Sequence, residues 1–142
     1  MADKVLVWLL VENAGAALLV RRKDDEPPFA GQWVLPGDEM PEFESAAETL
    51  SRVGKEELGV DVSMDSFVTT IELSEGSDNF AINIFRVAVE GRPRYRESGP
   101  YEEAAWAEPT TLPGAGLLMP LQLLDALVAD ASASAADKEG KV

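Results

Sequence analysis

The segment from Gly37 to Val60, GDEMPEFESAAETLSRVGKEELGV, constrains this chain more than any other stretch. Pro36-Gly37 breaks the chain, acids follow, and from about Glu44 to Leu58 the residues recur at helical intervals. Ala47, Leu50, Gly54 and Leu58 form one stripe, while Glu44, Glu48, Arg52 and Glu56 form a second at i, i+4 spacing. Gly59 supplies a C-terminal stop. The pattern predicts a loop feeding a helix, with an arginine set among carboxylates. Glu56 and Glu57 are adjacent, about 100° apart around the helix axis, so the pair embraces a point beside the helix.

Composition restricts the chemistry that this acidic segment can serve. The chain has 142 residues, no Cys and no His, so it lacks a thiol nucleophile, a disulfide framework and an imidazole base. Carboxylates must do the work, and their oxygen atoms suit hard cations such as magnesium or manganese rather than zinc. Twelve Lys and Arg against 26 Asp and Glu give a formal charge of −14. That field argues against a nucleic-acid polymer or an anionic membrane as partner. An anionic small molecule would need local compensation, because two unit charges in contact repel by about 1 kcal/mol even in water. Bound cations or the Arg21-Arg22-Lys23 run are the candidates.

Length suits one domain, expected over residues 1–130, with a small, polar, disordered tail over 131–142. Lys4 to Val11 and Ala16 to Val20 are apolar runs either side of a turn, which predicts a hairpin of buried strands. The prolines of DDEPPF, from Asp24, make an irregular loop. Strand character returns at Gln32 to Leu35, then over Phe67 to Leu73 and Asn79 to Glu90, with a short strand at Ala104 to Ala107. Leu117 to Ala129 reads as a packed helix. The longest apolar stretch, VLVWLLV, is too short to span a bilayer and lacks signal-peptide flanks, so a cytoplasmic location is expected. The order of elements predicts an α/β architecture, a mixed sheet with helices packed on it.

These features together resemble the Nudix (MutT-like) hydrolase family, whose box reads G-x5-E-x7-R-E-U-x-E-E-x-G-U with U apolar. Aligned on Arg52 and Gly59, the match retains Glu44, Arg52, Glu56, Glu57 and Gly59. Asp38 falls on the first Gly, Val53 on a Glu and Gly54 on an apolar position, so the box is degenerate. The resemblance covers about Lys4 to Ala129 and implies the Nudix α/β/α sandwich. It also implies a magnesium- or manganese-dependent pyrophosphatase that hydrolyses a nucleoside diphosphate linked to another moiety. The rival from a different class is a weakened domain that binds a nucleotide or a protein without turnover.

The resemblance further implies roles residue by residue. Glu44 and Arg52 would brace loop against helix, and Glu56 and Glu57 would ligate metal, with the Gly37 carbonyl as a further oxygen ligand. Val53 can neither ligate nor activate water, and a positioned base is worth roughly 10²–10⁴ in rate. Asp38 is the expected replacement acid, with Glu39 or Glu42 as loop alternatives. Glu102 and Glu103, with Glu97 third, are the expected bases on a later loop. Arg21 or Arg22, which strand alternation points to opposite faces, would meet substrate phosphate, and Phe29 and Trp33 would stack on a base or line the pocket. A homodimer is also expected. The bland alternative throughout is a solvated acidic surface around an ordinary core.

Overall fold

The computed structural model describes residues 4–13 and 16–107. The helix expected at 117–129 and the tail expected at 131–142 lie outside the described residues. Two four-stranded sheets and one helix make up the described fold. The first sheet has the order β5 (Gly37–Glu39), β1 (Lys4–Leu10), β7 (Asp78–Glu90), β6 (Asp61–Glu75). It is mixed, because β1 runs parallel to β7 while β5 and β6 are antiparallel to their neighbours. The second sheet is antiparallel and centres on β3 (Ala16–Arg22), which pairs with β2 (Glu12–Asn13), β4 (Trp33–Val34) and β8 (Tyr101–Ala107).

The expected β1–β3 hairpin does not form. A two-residue β2 takes the antiparallel place beside β3, and β1 joins the other sheet. The reason lies in the continuous apolar run: Leu6 to Leu10 are all buried, and such strands are covered on both faces, as parallel sheet members are. Each fully buried Leu or Ile contributes roughly 1.5–3 kcal/mol. The later strands are longer than their sequence signals, with β6 carrying two bulges along its pairing with β7. Among the described residues no helix is long and apolar enough to cross a membrane.

Helix α1 (Ala46–Glu57) starts two residues after the predicted point, because Ser45 caps it and Glu48 closes a capping box. Glu48 is therefore not the i, i+4 partner of Arg52. The buried face comprises Thr49, Leu50, Val53, Gly54 and Glu57, whereas Ala47 is exposed. Gly54 is a packing requirement: a Cβ there would sit 2.4 Å from Val62 Cγ2 of β6. The missing side chain lets helix and strand close together. Gly59, at φ +67°, takes the left-handed turn that ends the helix.

Candidate active site

Arg52 joins the acidic loop to the helix. Its guanidinium donates to both oxygens of Glu44 at 3.1–3.3 Å, to Asp38 Oδ2 at 3.2 Å and to the Glu39 carbonyl at 3.3 Å. Thr49, fully buried, donates its hydroxyl to Glu44 as well, at 2.9 Å. The hydrogen bond from Arg52 holds the Glu44 carboxyl below its ordinary range, and Glu44 in turn raises Arg52. Asp38 is thus engaged twice, since its Oδ1 also accepts the Glu39 N–H at 2.7 Å.

Gly37 sits deeper, on β5 against β1. Hydrogen bonds at Pro36 and Met40 set the ladder so that Gly37 is in a non-bonded pair with Trp8, turning its own N–H and C=O away from β1. The Tyr101 hydroxyl, from the other sheet, satisfies both. It accepts from Gly37 N at 2.9 Å and donates to Gly37 O at 3.1 Å. A side chain at Gly37 is excluded, because a Cβ would stand 2.2 Å from the Val7 carbonyl.

Glu57 reaches the same place from the last turn of α1. It is 7% exposed, and Oε1 is buried without a hydrogen-bond partner. Burial pushes its carboxyl up to about 7, with the Asp38 charge adding to the rise. A hydrogen-bonding relation to Tyr101 and the charges of Arg22 and Arg52 act the other way. Burial and Glu57 together raise the Tyr101 phenol well above its usual range. Val53, one turn earlier and fully buried, puts a methyl-bearing wall on the same helix face. Glu56 is different: its side chain is 66% exposed and meets Arg52 at only 3.9 Å.

The opposite wall is built on β3 and β8. Arg21 pairs with Glu102 and with Glu103, each at 2.5 Å, so neither carboxylate is a ready proton acceptor. The Glu103 hydrogen bond is the largest influence raising Arg21. Glu97 contributes its backbone carbonyl to Lys23 Nζ. Arg22 points the other way, as alternation requires, into a recess lined also by Leu6, Trp8, Phe29, Gly37 and Asp38. There it is nearly buried, holds the Glu26 and Pro27 carbonyls at 3.0 and 3.3 Å, and lies 5.9 Å over the Tyr101 ring. Phe29, 1% exposed, packs edge-on against Trp8 and Phe80, which leaves it no open face for stacking on a base. Its strained φ of +64° is held by an N–H donated to both Glu75 oxygens at 3.0 Å. Trp33 is half-buried and registers with Arg21.

A two-sheet core, a loop braced onto a helix by Arg52 and an acid at the helix end define the Nudix class of proteins. The description NUDIX domain matches residues 2–126, and the chain belongs to that family. The nucleoside triphosphatase NudI of Escherichia coli O139:H28 (strain E24377A / ETEC) is 27% identical over 122 residues, covering 79% of this chain and 86% of the relative. Two solved structures share the fold. The MutT NUDIX hydrolase from Burkholderia pseudomallei superposes with a TM-score of 0.71 at 23% identity, covering 89% of this chain and 95% of that one. An ADP-ribose pyrophosphatase from Streptococcus suis 89-1591 gives 0.71 at 19% identity, with 92% of each chain covered. Members of the family hydrolyse nucleoside diphosphate derivatives and generally use a divalent metal.

The residues present fit one hard cation better than a cage of acids. Among the described residues no three acids converge on a ready-made metal cluster. Magnesium needs only one or two carboxylates beside waters and substrate phosphate. Glu57 Oε1, buried without a partner, is the anchor such an ion would satisfy. Glu56 is beside it on the helix, and the Gly37 carbonyl keeps a second lone pair beyond the one Tyr101 uses. Sequence reasoning missed Tyr101, Thr49 and Glu75. The signal for Tyr101 was its place directly before Glu102, where only acids were sought.

Proposed function

We propose that this protein is a divalent-metal-dependent hydrolase that cleaves a phosphoanhydride bond in a nucleoside diphosphate linked to another moiety, by water attack on phosphorus. The observation carrying this reading is the buried, unpartnered Oε1 of Glu57 beside an intact Arg52–Glu44 brace. Magnesium or manganese held there would neutralise charge developing on the substrate phosphates. Glu57 and Glu56 are the ligating carboxylates in this reading, with the Gly37 carbonyl and Asp38 at the loop side. Arg52 fixes that loop through Glu44, so the oxygen donors stay in place without substrate. Arg22 lends positive charge to the recess, and Trp33 borders Arg21 at the rim. Glu102 or Glu103 would have to leave Arg21 before taking a proton from water, which predicts a slow turnover. A cytoplasmic location and a homodimer belong to the same proposal, testable by cell fractionation and light scattering.

Val53 supports a second reading, a domain that binds nucleotide without turnover, because an apolar side chain stands where the family has an acid. One experiment separates the two. Nucleoside triphosphates, nucleotide sugars, ADP-ribose and dinucleoside polyphosphates are incubated with the protein and magnesium or manganese, and product release is measured. The hydrolase reading expects release that falls at least about 10²-fold in Glu57→Gln. Ligand binding without release from any member of the panel supports the binding module.

A further inference from the structure

The acid missing at Val53 raises the question of what keeps the remaining oxygen donors of the site in place. Three of the carboxylates expected to compensate are already engaged, Asp38 by Arg52, and Glu102 and Glu103 by Arg21. Tyr101 is a polar group that enters the site from a fully buried position on the other sheet. Its hydroxyl oxygen and single proton are already committed to the two backbone groups of Gly37, at 2.9 and 3.1 Å. One hydroxyl therefore holds both backbone groups of Gly37, whose carbonyl is the loop-side oxygen donor of the candidate metal seat. The cation–ring contact with Arg22 and the lack of any exposed surface fix the phenol itself.

We propose that Tyr101 is a positioning residue, whose hydroxyl aligns the Gly37 carbonyl as an oxygen donor to a divalent cation seated between it and Glu57. This rests on the metal reading given above. Groups that orient metal ligands typically change affinity by about 10–100-fold when removed. A purely structural role, satisfying the turned-away backbone of Gly37, is the competing explanation. The two differ in what the hydroxyl does when metal arrives: an aligning hydroxyl changes its hydrogen bonding, whereas a structural one does not.

The test pairs calorimetry with tyrosine NMR. The chain has two tyrosines, so ring carbons beside the hydroxyls, labelled with carbon-13, give two signals that Tyr95→Phe assigns. Titration of the full chain with magnesium is expected to shift the Tyr101 signal and leave Tyr95 in place, and Glu57→Gln is expected to abolish the shift. Tyr101→Phe is expected to weaken magnesium and manganese binding by about tenfold or more while still unfolding cooperatively. Magnesium binding to the wild type with an unmoved Tyr101 signal overturns the proposal, whether or not Tyr101→Phe folds. Equal affinity in a folded Tyr101→Phe also overturns it. A wild type that binds neither cation removes the metal reading itself, and this inference with it.

Discussion

The two walls of the site each centre on one arginine among carboxylates, and they use it differently. On the α1 wall, Arg52 gathers Glu44 and Asp38 and touches Glu56 weakly, leaving Glu57 without a guanidinium contact. On the β3–β8 wall, Arg21 takes both nearby acids and leaves none over. The difference teaches that an acid's chemistry depends on what its neighbours leave unpaired. The α1 wall holds one carboxylate in reserve, and the other wall is a closed ion cluster.

Breaking the α1 wall should have the largest effect. Arg52→Ala takes away the shared donor of Glu44, Asp38 and the Glu39 carbonyl, and should clearly lower the stability of the folded chain. Urea denaturation measures it, and a loss near zero would mean that the brace does not hold the loop.

Next comes the reserve acid. Glu57 titrates at about 7 when folded against an ordinary 4.5, so the folded chain holds the extra proton across that window. Stability therefore falls as pH rises from about 4.5 to 7, by roughly 3–4 kcal/mol at about 1.4 per unit, and is greatest where the carboxyl is protonated. Metal-free unfolding of wild type against Glu57→Gln isolates this fall, which the variant should lack. Parallel curves would show that Glu57 is not buried as a lone acid.

Gly54→Ala tests how the α1 wall is seated. Helix propensity alone favours alanine by about 1 kcal/mol, yet the close approach of Val62 should make the variant less stable by about 1–2 kcal/mol. A stabilised variant would show that Val62 yields easily. The smallest effect is expected on the far wall, where Glu103 is half exposed: Glu103→Gln should cost less than about 1 kcal/mol in thermal unfolding, as partly solvated ion pairs do. A larger loss would make that cluster a structural equal of Arg52.

The helix and its glycine stop were legible because they follow from spacing along one element, and the Glu44–Arg52 brace because the segment resembles the Nudix box. The pairing of β1 was not, since an apolar run states burial and leaves the neighbour open. Gly54 stood out in sequence as a departure from the box, and only the approach of Val62 shows why it is glycine. Glu56 and Glu57 looked equivalent in sequence, but the last turn of α1 sends one to solvent and one inward. Tyr101 was invisible for a related reason: its role arises where two sheets meet, 64 residues from Gly37.

The grip of Glu75 on the Phe29 amide has a consequence for protein engineering. The tip joining β6 to β7, with Gly76 in open space at φ +62°, has the look of a tolerant place for an inserted tag or new chain termini. Glu75 is paired with Asp78 across that tip and clamps the loop that roofs the recess, so a lengthened tip should loosen the roof from a distance. A fluorophore placed there would report on the mouth of the site rather than on the hairpin that carries it.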